Sequence, residues 1–226
     1  MTGNQTFLVL RLEGALQSWG ESAKWDARDS ADLPTKSGVV GLLGCALGLE
    51  RGDPALAALS DAMRMAVRAD RPGTRTMDFQ TVTGSPLRNA EGKPKSTGNT
   101  IISRRTYLQD ACFTVVLELE EPWRERVAAA LRDPKWCICL GRKNCVPSRP
   151  VLDCTSFSAA DLDAAIRSYP AADRAIFPMV YESEQESPAL SGYTRPDRLL
   201  DGNRSFARRR VWRGIVKEED HGSLQN

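Results

Sequence analysis

Three strand-like apolar runs frame this chain: residues 6–12, which alternate enough for a half-buried strand, residues 63–69, which have a clear two-residue period, and the strong run 111–119. Between the first two, Pro34-Thr35-Lys36-Ser37 opens a helix that Ser37 or Thr35 can cap. Val39, Val40, Leu42, Leu43, Ala46 and Leu47 supply its apolar face. Gly41, Gly44 and Gly48 weaken it intrinsically, so they are expected to permit close packing on a sheet. A shorter helix is expected at 54–59, with Pro54 in its first turn. Between the second and third runs the pattern breaks. Two polar, β-prone pieces at 76–83 and 100–107 flank a Gly/Pro/Lys/Asn stretch with no hydrophobic face to bury, which predicts a hairpin projecting from the body.

After the third run come a helix at 122–131 and a short strand at 136–140. The order β-α-β-(insert)-β-α-β predicts an α+β fold with a ferredoxin-like or RNA-recognition-motif layout. The remainder predicts a Pro-rich connection at 146–150, a helix near 158–168 and strands at 176–181 and 205–216. The expected organisation is a domain over 1–145, with its insertion at about 76–105, and a smaller β-rich C-terminal region over 146–226.

The formal net charge of the 226 residues is only +2, which on its face argues against a polyanion partner. Its distribution argues otherwise. Residues 64–110 carry +5, 141–150 carry +3 and 195–217 carry +6, offset by acidic segments elsewhere. Of the 31 basic side chains 24 are Arg, the residue suited to bidentate phosphate contacts and to stacking on bases. The plain alternative for any one of these runs is solvated surface.

The N-terminus shows no targeting pattern, and the longest apolar stretch, 39–49, is interrupted by glycines and too short to span a bilayer; a cytoplasmic location with no membrane partner is expected. Cys45 and Cys112 sit in apolar runs and read as small buried hydrophobes. Cys137, Cys139, Cys145 and Cys154 lack the paired spacing of a zinc ribbon and read as reduced thiols, so no metal site is expected. The single histidine, His221, lies in a polar acidic tail and is expected to be disordered rather than catalytic. Histidine-dependent cleavage and triad acyl transfer are thereby disfavoured, and neither a catalytic residue nor a cofactor is expected.

Four local motifs carry binding chemistry. Thr35-Lys36-Ser37-Gly38 at a helix start is either a plain N-cap or an anion site built from free N–H groups, a hydroxyl and a lysine. Ser103-Arg104-Arg105-Thr106-Tyr107 sends adjacent arginines to opposite faces of a strand. Gly141-Arg142-Lys143-Asn144 is a cationic turn, and Arg208-Arg209-Arg210 lies between Phe206 and Trp212, mixing cations and aromatics as single-strand binders do.

Several stretches also carry a family resemblance. Leu10-Arg-Leu-Glu-Gly-Ala-Leu-Gln-Ser-Trp-Gly20, Pro34-Thr-Lys-Ser-Gly-Val-Val-Gly-Leu-Leu-Gly44, Ala66-Val-Arg68, Arg105-Thr-Tyr-Leu-Gln-Asp-Ala-Cys-Phe-Thr-Val115 and Leu140-Gly-Arg-Lys-Asn-Cys-Val-Pro147 run in order through about two thirds of the chain. They closely resemble the CasD-type subunits of type I-E CRISPR Cascade complexes, within the RAMP superfamily; the last third is similar chiefly at Arg208–Trp212. The resemblance implies a modified RNA-recognition fold with a projecting thumb where the hairpin is expected. It implies a non-catalytic subunit that grips the 5′ handle of the crRNA, packs on a backbone subunit and meets the large subunit, with target DNA nearby. Carried over by motif, Gln17, Trp19, Lys36, Ser37 and Gly38 would line the handle site. Arg104, Arg105, Tyr107, Arg142 and Lys143, with Arg208 and Arg209 beyond them, would contact phosphates or stack on bases. The competing reading is an endoribonuclease that processes CRISPR repeat RNA.

Overall fold

The computed structural model describes residues 4–21, 27–84, 87–88, 93–94, 100–200 and 205–223; the tip of the expected hairpin lies mostly outside them. In chain order the elements are β1 (Gln5–Glu13), β2 (Leu16–Gln17), β3 (Ala27–Arg28), α1 (Lys36–Leu47), α2 (Pro54–Asp61), β4 (Met63–Arg71), β5 (Thr74–Thr83) and β6 (Thr100–Gln109). They continue with β7 (Cys112–Leu119), α3 (Trp123–Arg132), β8 (Leu152–Ala159), α4 (Leu162–Ser168), β9 (Met179–Ser183), β10 (Ser191–Leu199), β11 (Phe206–Val216) and α5 (Glu218–Ser223).

Seven strands form one sheet in the order β10-β11-β9-β4-β7-β1-β8, with every pairing antiparallel. The two-residue period of the central strands sorts their side chains onto two faces. Leu8, Leu10 and Leu12 of β1, Met65 and Val67 of β4, and Phe113, Val115 and Leu117 of β7 pack under α1, α2 and α3 in the main core. Phe7, Val9, Ala66 and Val116 face the other way, against Leu162, Ala165 and Ile166 of α4. The architecture is therefore three-layered α+β, with a large antiparallel sheet between helices.

The second face also buries charge. Arg11, Arg68, Asp70 and Thr114 come from three adjacent strands and are all buried. Asp70 accepts from Arg11, from Arg68 Nε at 2.7 Å, from Thr114 Oγ1 at 2.9 Å and from the Ala172 amide at 2.7 Å. Arg68 also donates to the Ile166 and Tyr169 carbonyls at 2.7 and 2.9 Å, so the cluster clamps the segment after α4 onto the sheet. Such a network is tolerated in a dry interior because nearly every donor meets an acceptor.

β5 and β6 form the expected hairpin, paired antiparallel from Thr74↔Gln109 to Thr83↔Thr100, two residues longer at its base than the sequence indicated. β2 and β3 add to the free edge of β6, forming a second, smaller sheet that roots the hairpin beside α1. Along one face of it Met77, Phe79 and Ile102 are exposed.

Four readings need correction. Residues 136–140 are not a strand: the Leu140 amide turns back to the Cys145 carbonyl at 2.7 Å, making a loop. The strand beside β1 is instead β8, an edge strand whose Ser/Thr/Asp composition concealed it, and the helix expected from residue 158 starts only at Leu162. β10 was also missed, because Pro196 interrupts its pattern; the pairing with β11 passes it through a register shift between Arg195 and Arg198. His221 is not disordered. It lies on α5, with its ring nitrogens at 3.1 Å from the Ala171 amide and from the Arg167 carbonyl.

Candidate nucleic-acid interface

Thr35 caps α1, its hydroxyl accepting from the Gly38 amide at 3.3 Å. Lys36 points inward instead of out to an anion. Its ammonium donates to the Met63 carbonyl at 2.6 Å and pairs with Glu184 at 3.2 Å, while its amide donates to Asp197 at 2.8 Å. Burial depresses the Lys36 pKa, and Glu184 only partly offsets this. Arg209 is drawn into the same network, its Nε and one terminal nitrogen on Asp197 at 2.6 and 2.9 Å and its other terminal nitrogen 3.4 Å from Glu184. Burial alone would raise the Asp197 carboxyl; the Arg209 hydrogen bonds and charge outweigh it and hold that pKa low.

Trp19 lies beneath the first turn of α1. A Cβ on Gly38 would come within 2.8 Å of its ring, so glycine there lets the helix sit directly on the indole. The indole N–H donates to Gln17 Oε1 at 3.2 Å, and the Gln17 amide donates to the Leu12 and Ala111 carbonyls at 3.0 and 2.8 Å. Gln17 is thus a fully buried strut below Trp19, with both ends of its amide engaged.

The 140–145 loop closes on this floor. Gly141 has φ +95° and approaches Ser18 so closely that a Cβ would lie 1.7 Å from the Ser18 carbonyl oxygen. Only glycine permits both conditions. The Arg142 guanidinium then reaches across to donate to the carbonyls of Thr106 (3.0 Å), Arg28 (3.0 Å) and Asp29 (3.1 Å). It also lies 4.6 Å from the centre of the Tyr107 ring. Tyr107 is buried behind it, its hydroxyl accepting from Asn144 at 3.0 Å.

Between α1, segments 18–21 and 28–29, the 136–142 loop and the junction of β10 with β11 lies a cleft of about 760 Å³. Ser37, Gly38 and Arg142 line it together, while Trp19, only 1% exposed, is buried as its floor and leaves no open ring face. Sequence reading missed Trp136, Arg28 and Arg51 on its walls; Trp136 and Phe206 keep 41% and 44% of their surface exposed there. The clue to Trp136 was an aromatic beside the cationic turn, obscured by the strand assignment. The remaining candidates lie elsewhere. Lys143 is exposed on the loop, Arg104 is exposed on the hairpin over Phe79, and Arg105 is half-buried beside Ser103. Arg208 is exposed and opens onto a separate crevice.

The cleft offers aromatic faces, guanidinium groups and free space above Gly41, where a Cβ would meet nothing within 4 Å. This suits stacking on flat bases and contact with phosphates. Among the described residues no group of three or more His, Cys, Asp or Glu is placed to hold a metal ion. Cys45 is half-buried rather than sealed in the core, its sulfur 3.2 Å from the Cys137 carbonyl, whereas burial pushes the Cys112 thiol up to about 12. No helix of the described residues is long and apolar enough to cross a membrane.

The chain is 34% identical over 178 residues to the Escherichia coli (strain K12) CRISPR system Cascade subunit CasD, covering 73% of this chain and 77% of that one. It superposes on a chain of a CRISPR RNA-guided surveillance complex with a TM-score of 0.76 and 27% identity, over 96% of this chain and 97% of the other. It also matches the crystal structure of a Cas protein with a TM-score of 0.72 and 33% identity, over 95% and 96%. The family described as CRISPR-associated protein (Cas_Cas5) matches residues 7–214. With that match spanning nearly the whole sheet and both walls of the cleft, the chain belongs to the Cas5 family of CRISPR-associated proteins.

Proposed function

We propose that this chain is a non-catalytic RNA-binding subunit of a type I-E Cascade surveillance complex that holds the 5′ handle of the crRNA. The observation that carries the reading is the cleft itself, where the residues of the first, second and last resembling motifs converge with exposed Trp136 and Phe206. Splayed single-stranded nucleotides are recognised by such stacking, with arginines fixing the backbone. The identity to CasD supports membership of Cascade. The run β8-β1-β7-β4, in which the first, second, third and fourth core strands take the order 4-1-3-2, supports a ferredoxin-like core for the 1–145 domain completed by β8. The hairpin is its thumb, and exposed Met77, Phe79 and Ile102 suit docking on a backbone subunit. The large subunit and target DNA lie beyond the body in the assembled cytoplasmic complex.

A non-catalytic role fits the position of the lone histidine, held by Ala171 and Arg167 away from the residues that line the cleft. The test is binding of an RNA carrying the repeat-derived 5′ end of the guide to purified R28E/R51E, which reverses two exposed arginines on the cleft walls. Affinity should fall at least about tenfold and the salt slope by about 1.4, about 0.7 for each lost phosphate contact. Unchanged affinity and slope would overturn the reading, and site-specific cleavage of repeat RNA by the wild type would overturn its non-catalytic part.

A further inference from the structure

The crevice onto which Arg208 opens has a volume of about 470 Å³ and lies where α2 meets β4 and the β10–β11 pair. Arg64, Arg198, Arg208 and Arg210 line it, against the carboxylates of Asp61 and Glu184. Glu184 is already engaged by Lys36 and Arg209, and Asp61 by Arg198 at 3.0 Å. Arg208 has no carboxylate partner among the described residues. One further group points to a ligand: Ser60 is fully buried, lines the crevice, and its hydroxyl finds no hydrogen-bond partner among the described residues. An unsatisfied buried hydroxyl is costly unless something outside the fold meets it.

The crevice is continuous with the cleft through one strand. Along β11, Phe206, Arg208 and Arg210 are exposed while Ala207, Arg209 and Val211 turn inward. Phe206 lines the cleft, and Arg208 and Arg210 line the crevice. Successive members of that row are about 7 Å apart. We propose that the RNA leaving the cleft continues along this row and that the crevice is a second phosphate-binding subsite, with Arg208 and Arg210 gripping the backbone and Ser60 donating to a phosphate oxygen. The planar guanidinium forks and the free hydroxyl donor match phosphate oxygens, and the aromatic at the junction matches a stacked base. This extension rests on the RNA-binding reading of the cleft.

The experiment measures anisotropy of labelled oligouridylates of about 4 and about 12 nucleotides, lengths within the range one binding groove covers, with the wild type, R208A/R210A, S60A and W136A. The wild type should bind the longer probe more tightly. R208A/R210A should bind the longer probe no better than the shorter one, with a salt slope smaller by about 1.4 on the longer probe only. S60A should weaken the longer probe alone, and W136A both. Equal loss on the two lengths in R208A/R210A would overturn the second subsite and leave the cleft standing. No loss on either would also overturn it. A wild type that binds neither probe would overturn the cleft reading together with its extension.

Discussion

Replacing Asp70 by Asn tests the physical account of the sheet's second face. The carboxylate is fully buried, and its Oδ2 meets four donors, from Arg11, Arg68, Thr114 and Ala172, while Oδ1 meets Arg68 Nε. An Asn side chain can place its oxygen at the first position only by turning its amide hydrogens against Arg68 Nε. It also leaves two buried guanidinium groups without their shared countercharge. Removing one partner of a buried pair costs about 3–5 kcal/mol. Here each arginine keeps other acceptors, Asp153 and the Pro170 carbonyl for Arg11 and the Ile166 and Tyr169 carbonyls for Arg68. The expected loss is therefore at the low end, about 3 kcal/mol. For a chain of this length each kcal/mol lowers Tm by about 2–4 °C, so D70N should unfold about 6–12 °C below the wild type in a far-UV circular dichroism scan. The urea midpoint should fall with the slope unchanged. A drop in Tm under about 2 °C would refute the claim that this network anchors the α4 segment.

Two further outcomes follow from the same geometry. G141A must separate the 140–145 loop from Ser18 and strain a positive φ, so it should cost at least about 2 kcal/mol and weaken RNA binding by displacing Arg142; a Tm within about 2 °C of wild type would contradict this. Because the Asp197 pKa is lowered in the fold, its stabilisation is fully present above the ordinary carboxylate value of about 3.9 and is lost as pH falls through the depressed one. D197N should therefore be less stable at neutral pH and lose less stability on acidification, as urea midpoints across an acid series would show; parallel curves would count against it.

Much of the fold was legible because the central strands and α1 carry strong periodicity, and the hairpin announced itself by having no face to bury. What escaped was the second face. Arg11 and Arg68 occupy the polar positions of alternating strands, which suggests solvent, but α4 and the segment after it cover them. The fate of Lys36 was equally hidden. A lysine at a helix start looks free to meet an anion until Glu184 and Asp197, 148 and 161 residues away, are brought beneath it. The arginine triplet divides for the same reason. The strand period turns Arg209 into the buried network and leaves Arg208 and Arg210 outside, so a local charge count overstates the cationic surface.

The strand order also carries a consequence for the growing chain. Once residue 119 has been made, β1, β7 and β4 can pair, yet the outer edges of that triplet stay bare until β8 arrives at 152–159 and β9 at 179–183. Open edges invite pairing with other chains. Both protecting strands come from the late, weakly patterned third of the sequence. A truncation before residue 152 would thus expose two sticky edges at once, and the segments hardest to read in the sequence are those that keep the nascent sheet from aggregating.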